Sequence, residues 1–259
     1  MSIFDFFKKN EQPKAETRHG LSAAPQVENT STKAENLTGE HSESKPFPES
    51  SKRVHNLILL DESGSMQSIY RPALSGVNET LQTIRGAQDE YPDQTHFVSL
   101  IAFDSGHYNQ IYSNVPAAKA EDITERQYRP QGCTPLYDAM GRSITELRDK
   151  VAPEDVVLVT IITDGYENAS REYDGKAIKA LVEAMKQEGW VFTYIGANQD
   201  VEAVASAMSI DNRLAFSADE ESTRVMFNKE LSARKKFFSR VSNEKSKSSL
   251  AKGYFDMDQ

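Results

Sequence analysis

The residues able to do chemistry are gathered in three short stretches. Asp61, Ser63 and Ser65 lie two residues apart in Asp61-Glu62-Ser63-Gly64-Ser65-Met66, directly after the apolar run Asn56-Leu57-Ile58-Leu59-Leu60. One carboxylate and two hydroxyls at that spacing make an oxygen-only cluster suited to a hard divalent cation. Farther along, Gly132-Cys133-Thr134-Pro135 offers a third hydroxyl in a tight turn, and Thr163-Asp164-Gly165 adds a second carboxylate just beyond the run Val156 to Ile162. Asp and Ser are common at strand–helix turns because their side chains bond local backbone, so the first stretch alone is a weak signal. All three in order, two of them at the ends of strand-like runs, make a much stronger one.

The elements that must position these residues can be read from hydrophobic periodicity. Leu57 to Leu60 is continuously apolar, the pattern of a strand buried on both faces of a parallel sheet. Leu74, Val77, Leu81 and Ile84 recur at helical spacing, with Gly86 as a stop. Phe97 to Phe103 reads as a second strand, and Gln110-Ile111-Tyr112 as a short edge strand paired back after the turn residues Asp104-Ser105-Gly106. Met140, Ile144 and Leu147 mark a helix, and Val156 to Ile162 a strong strand. Asp174 is placed to cap a helix striped with Ile178, Leu181, Val182 and Met185 that stops at Gly189. Trp190 to Ile195 is the next strand, Asn198 and Asp200 form a loop and cap, and Val201, Val204, Ala205 and Met208 give a short helix. Ser217-Ala218-Asp219-Glu220 has the form of a capping box, opening a helix with Phe227, Leu231 and Phe238 on one side and charge on its other faces.

Helices alternating with strands predict an α/β fold: a doubly wound, Rossmann-like, mostly parallel sheet with one short antiparallel edge strand and helices on both faces. In such a sheet ligands bind beyond the carboxyl ends of the strands, where strand order reverses. Asp61 and Asp164 project over one crevice if their strands are neighbours, at a spacing of about 4.8 Å.

The three stretches together resemble the metal-ion-dependent adhesion site of the von Willebrand factor A family, also called vWA or integrin I-like domains, and among these the intracellular bacterial members. The resemblance implies that the strands before Asp61 and Asp164 are neighbours. It adds a sixth strand near Arg213 to Phe216, and it makes Asp61, Ser63, Ser65, Thr134 and Asp164 the metal ligands of a complete site. Five protein oxygens, of which two groups carry charge, favour Mg²⁺ or Mn²⁺ over Ca²⁺, which takes six to eight oxygens and often several carboxylates. Zinc fits poorly, because His19, His41, His55, His96 and His107 show no ligand spacing and Cys133 stands alone.

In this family an acidic side chain from a partner fills the open metal position. The resemblance therefore implies a metal-dependent protein–protein interaction module, an adaptor or scaffold rather than an enzyme. Its partner supplies an Asp or Glu, and intracellular relatives point to an AAA-type ATPase or a stress-response protein. Cys133 departs from the family pattern, standing where a second glycine commonly precedes the threonine; a small side chain tolerated in a turn is the expectation. Glu62 is expected to be solvated at the rim, and Asp104 to form a turn.

A metal-dependent phosphatase or hydrolase on a similar sheet is the alternative. Haloacid-dehalogenase-like enzymes place an aspartate nucleophile after the first strand, as Asp61 is placed. They need a second acid two residues later to shuttle a proton, and Ser63 stands there. A serine hydrolase lacks support too, since no G-x-S-x-G elbow surrounds Ser63 or Ser65.

Composition sets the outer bounds. A chain of 259 residues holds one sizeable α/β domain plus tails. The formal net charge of −9 argues against general nucleic-acid binding, which needs a basic face. No run approaches the roughly 18 to 20 apolar residues of a membrane span, and Met1 to Lys9 does not read as a secretory signal. Cys133 is the one cysteine, which excludes intrachain disulfides and suits a cytoplasmic protein. Residues 1–52 read as a flexible segment with a short amphipathic start, Ile3, Phe6 and Phe7 before Lys8 and Lys9, so membrane contact is confined to weak surface binding through residues 1–9. Residues 53–241 form the domain including its C-terminal helix, and 242–259 a polar tail in which Asp256 and Asp258 are candidate self-ligands.

Overall fold

A computed structural model describes residues 51–244, 246–251 and 253–255. Residues 1–50 of the segment expected to be flexible, and Asp256 and Asp258, lie outside the described residues, while Lys52, placed in that segment from sequence, already belongs to the first strand. The central strand is β1 (Lys52–Asp61), buried along all but its first two residues. It pairs in parallel with β2 (Gln94–Phe103) on one side and β4 (Val156–Thr163) on the other. Beyond β2 lies the antiparallel edge strand β3 (Tyr108–Pro116), longer than the three residues expected. Beyond β4 come β5 (Val191–Ala197) and β6 (Asn212–Phe216), both parallel, giving the order β3-β2-β1-β4-β5-β6 among the described residues.

Strand order reverses at β1 and β4, the two strands that deliver Asp61 and Asp164. The sheet is thus the mostly parallel, Rossmann-like one expected, with its crevice at the expected switch point.

Helices cover both faces. On one, α1 (Tyr70–Glu90) packs against α5 (Glu220–Asn243) and, with it, over Val54, Ile58, Leu60, Val98 and Leu158. Alternate residues Leu57, Leu59, Val157, Val159 and Ile161 are equally buried and face the opposite way, as the strand period of two requires. On that side α2 (Leu136–Arg148) and α3 (Gly175–Gln187) pack together, and the short α4 (Val201–Ala207) lies against β5 and β6.

Helix α1 does not stop at Gly86. It continues one more turn because Ala87 is still on the buried face and the following backbone amide of Tyr91 closes on the Ala87 carbonyl at 2.9 Å. Asp174 and Asp200 cap α3 and α4 as read, accepting from the amides of Ala177 at 2.7 Å and Ala203 at 3.0 Å. Gly189 has φ +86°, the left-handed conformation that ends a helix without a Cβ penalty.

Two readings at the C-terminal end need correction. The cap of α5 is Asp219, whose carboxylate accepts from the Ser222 amide at 2.8 Å, and not Ser217. A carboxylate is the better cap here because it also meets the positive end of the helix dipole. The chain after α5 does not simply trail away. A short helix α6 (Lys247–Leu250) leads to Tyr254, which is fully buried against Phe237 and donates to Glu230 Oε1 at 3.0 Å.

Helix α5 also carries charge on its buried face. Arg234 is fully buried, lies 2.7 Å from Glu230, and donates to Asn56 Oδ1 and Thr160 Oγ1 at 2.8 Å each. The helix is thus keyed to β1 and β4 by a polar network as well as by Met226, Phe227, Phe237 and Phe238.

Candidate metal centre

The five residues that the resemblance implies as ligands meet at the carboxyl ends of β1 and β4. Asp61 is the last residue of β1 and is fully buried. Its Oδ1 accepts from the Ser63 amide at 2.7 Å and its Oδ2 from Thr163 Oγ1 at 2.6 Å. The chain then turns, so that Ser63 Oγ lies 3.1 Å from Ser65 Oγ, and Ser65 Oγ donates to Asp164 Oδ1 at 2.5 Å. Thr134 joins from the loop before α2. A Cβ placed on Gly165 would sit 3.4 Å from Thr134 Oγ1 and 3.5 Å from Ser65 Oγ, which puts both hydroxyls on the same side of that glycine.

Neighbouring residues hold this arrangement. Thr134 is fixed by reciprocal bonds with Asn168: its amide donates to Asn168 Oδ1 at 2.8 Å, and its carbonyl accepts from the Asn168 amide at 3.1 Å. Tyr128, fully buried, donates to the Asp61 carbonyl at 3.0 Å. The first loop is clamped to the second where the Gly64 amide meets the Gly132 carbonyl at 3.1 Å. Gly132 has φ +68°, and a Cβ there would fall 2.7 Å from Ser105 Oγ, so this position requires glycine on two counts. Sequence reading missed Thr163, Asn168 and Tyr128 as supports. Only Thr163 carried a signal, standing beside Asp164.

Glu62 departs from expectation, while Cys133 occupies its turn as a small side chain. Glu62 is buried, not solvated at the rim: the loop at 128–131 folds over it, its carboxylate accepts from the Arg129 amide, and its carbonyl accepts from the Gln131 amide at 2.8 Å. Cys133 is exposed, because the turn that buries Thr134 directs its neighbour outward. Asp104 does form a turn, its Oδ1 accepting from the amides of Gly106 at 2.5 Å and His107 at 2.8 Å.

The electrostatics are unbalanced. Burial pushes Asp61 up to about 6, against the hydroxyl of Thr163 and the amide of Ser63, and the charge of Asp164 adds to the rise. Burial raises Asp164 as well, opposed by the Ser65 hydroxyl. Asp164 Oδ2 is buried with no hydrogen-bond partner among the described residues. No buried cation lies against either carboxylate there to offset them. An orphaned carboxylate oxygen, a second buried carboxylate and three converging hydroxyls are a donor set that fits a small hard dication. Among the described residues no group of three or more His, Cys, Asp or Glu is placed to hold a metal, so any ion here would rest on two carboxylates and neutral oxygens.

A parallel sheet of this order, with paired carboxylates and hydroxyls at its switch point, defines the class of α/β domains that bind at the strand ends. Residues 57–239 match the von Willebrand factor type A domain, and the chain belongs to that family. This is a fold commonly used for metal-dependent protein–protein interaction. No curated protein matches the sequence significantly. Among solved structures, the fold is similar to the PilB minor pilin from Streptococcus sanguinis, at 14% identity and TM-score 0.51, covering 76% of this chain and 64% of that one. It is also similar to the vWF domain of the type V pili tip protein Mfa5 from Porphyromonas gingivalis, at 8% identity and TM-score 0.50, covering 76% of this chain and 98% of that one. The chain thus spans less than two thirds of the PilB length that it matches. At these identities the likeness concerns the fold alone. No helix among the described residues is long and apolar enough to cross a membrane.

Proposed function

We propose that this domain is a metal-dependent protein-interaction module whose complete site, Asp61, Ser63, Ser65, Thr134 and Asp164, holds Mg²⁺ or Mn²⁺. The observation that carries this reading is the buried, unpartnered Oδ2 of Asp164, close enough to a second buried carboxylate, Asp61, for the Asp164 charge to raise the Asp61 pKa. When bound, the cation would neutralise both aspartates and act as an electrophile toward an outside carboxylate. The chain's own residues provide the rest. Thr163 and the Ser63 amide orient Asp61, Ser65 orients Asp164, and Asn168 holds the loop that presents Thr134.

The partner in this reading is a protein that offers an Asp or Glu, with an AAA-type ATPase or a stress-response protein as the type to look for. The role is that of an adaptor or scaffold, non-enzymatic and cytoplasmic in a bacterial cell. A lone cysteine suits a reducing compartment. Fractionation tests the location, since the two solved structures compared above are of pilus proteins. Phosphatase assays on a panel of esters test the non-enzymatic reading, and metal-dependent turnover lost with Asp61→Asn would sink it.

The main experiment is capture of partners from native lysate on the tagged chain in Mg²⁺ and in EDTA. Proteins retained only with Mg²⁺ should lose binding when one of their acidic residues is replaced. Capture that persists unchanged in EDTA would mean that recognition runs through another surface.

A further inference from the structure

Two cavities flank the candidate site and adjoin one another. One, of about 730 Å³, extends from Cys133 and Asn168, beside Thr134, to Arg142 and Arg171. The other, of about 520 Å³, lies beside Glu62 and is lined by Arg126 and Arg129. Gly106, His107 and Tyr108 line both, so the two form a trough interrupted at the β2–β3 turn, where Gln131 Nε2 lies 3.1 Å from His107 Nδ1 and the Cys133 amide donates to Ser105 Oγ at 3.0 Å.

The trough is lined by four carboxylates and four arginines, but Glu62, Asp104 and Asp138 are buried beneath its wall while the arginines reach its surface. Each of its carboxylates is engaged within the domain. Asp104 takes the amides of Gly106 and His107, and Glu62 takes the amide of Arg129. Asp138 takes the amides of Arg171, Glu172 and Tyr173 at 2.8 to 2.9 Å, and Glu172 is paired with Arg142. Three of its arginines are different. Arg126, Arg129 and Arg171 are exposed, and none of their guanidinium groups pairs with a carboxylate or other acceptor among the described residues. A chain of net charge −9 thus presents three exposed guanidinium groups without an ion-pair partner among the described residues beside the crevice where a carboxylate is expected to land, Arg129 also acting through its charge on the buried Glu62.

We propose that this trough reads acidic residues on either side of the metal-bound carboxylate, so that the partner segment is a stretch rich in Asp and Glu rather than a single exposed acid. This inference rests on the metal-dependent reading of the same site and names its ligand class. Arg171 engages the side of the segment over α2, and Arg126 and Arg129 the side over the 121–133 loop. Guanidinium groups suit the task because they stay charged and can meet carboxylates in bidentate fashion. The acidic surface elsewhere repels polyanions in general, so these arginines contribute selectivity and encounter rate as much as affinity.

The test uses the full chain and two fluorescein-labelled peptides read by anisotropy. One holds a single Asp among Gly and Ser, and the other holds the same Asp flanked by Glu residues. In Mg²⁺ the flanked peptide should bind about tenfold more tightly than the single-Asp peptide, as three rim charges would give. The triple variant Arg126→Gln, Arg129→Gln, Arg171→Gln, whose exposed positions leave folding intact, should lose that gain while keeping its Mg²⁺ dependence. The gain should also shrink as salt is added.

Equal binding of the flanked peptide to wild type and triple variant overturns the proposal while leaving the metal site standing. No measurable binding of the flanked peptide to wild type overturns it as well. Binding that needs the arginines but ignores EDTA supports the trough and removes the metal from it. Displacement of the flanked peptide by a phosphopeptide or an oligonucleotide at lower concentration than by unlabelled flanked peptide assigns the trough to phosphate and overturns the carboxylate assignment.

Discussion

Ser65 Oγ donates to Asp164 Oδ1 at 2.5 Å, joining residues 99 positions apart, and it leaves the other oxygen of that carboxylate buried and unpartnered. The metal-free domain therefore carries two buried carboxylates with fewer partners than their charge demands. Burial of such groups is unfavourable until a cation or a proton relieves it.

This gives a prediction with opposite signs in two buffers. A carboxyl raised from 3.8 to about 6 in the folded state stabilises the metal-free protein only at low pH, and that contribution is lost as pH rises through about 6. At pH 7.5 in EDTA, Asp61→Asn should be at least as stable as wild type, and more stable by up to about 3 kcal/mol. In Mg²⁺ the order should reverse, because a ligand that binds only the native state raises wild-type stability by RT ln(1 + [L]/Kd). Thermal melts in both buffers decide this, and equal Mg²⁺ shifts in the two proteins would refute Asp61 as a ligand.

A second prediction concerns His96, which is buried edge-on against Phe238, with neither ring nitrogen bonded among the described residues. Burial, aided by Arg234 and opposed by Asp93, lowers it to about 4. The unfolded chain then binds the extra proton between about pH 6.5 and 4. Stability should be full above that window and fall by up to about 3 kcal/mol as pH drops through it. Urea unfolding of wild type and His96→Leu from pH 7 to 4 checks this, with a shallower acid slope expected for the variant. Parallel slopes would show that His96 is not the group responsible.

A third prediction lies at the crossing of α1 and α5. A Cβ on Gly76 would sit 2.1 Å from the Phe227 ring, a distance that real atoms do not tolerate. Alanine improves helix propensity by about 1 kcal/mol, but overpacking costs about 1 to 3 kcal/mol or more. The clash should win, so Gly76→Ala should destabilise. Adding Phe227→Leu should recover part of the loss, and the double-variant cycle should show strong non-additivity. Additive effects would mean that the helices separate freely.

A fourth concerns the buried pair Arg234 and Glu230. Replacing Arg234 by Met leaves Glu230 buried with the Tyr254 hydroxyl as its remaining described donor, and should cost about 3 to 5 kcal/mol in denaturant unfolding. Replacing both residues by Met and Leu should cost much less, since no uncompensated charge remains. A double variant as unstable as the single one would contradict this account.

The sequence alone determined the features that depend on local pattern. A strand buried on both faces has to be continuously apolar, so Leu57 to Leu60 and Val156 to Ile162 announced the two central strands, and the acids after them could be placed at strand ends. Asp174 and Asp200 were legible as caps because a cap is made with amides three residues away. Tertiary structure decided whatever depends on distant partners. Glu62 is buried because the loop some 67 residues later donates to it, and Arg234 is buried because Asn56 and Thr160 accept from it across the sheet. Tyr254 returns to the core because α5 offers Glu230 and Phe237 on one face. Thr163 holds Asp61 because β4 lies beside β1, and Asn168 and Tyr128 hold the site through bonds set by how loops meet. Periodicity reports which face of an element is apolar; it does not report which distant polar group will be there to satisfy a buried charge.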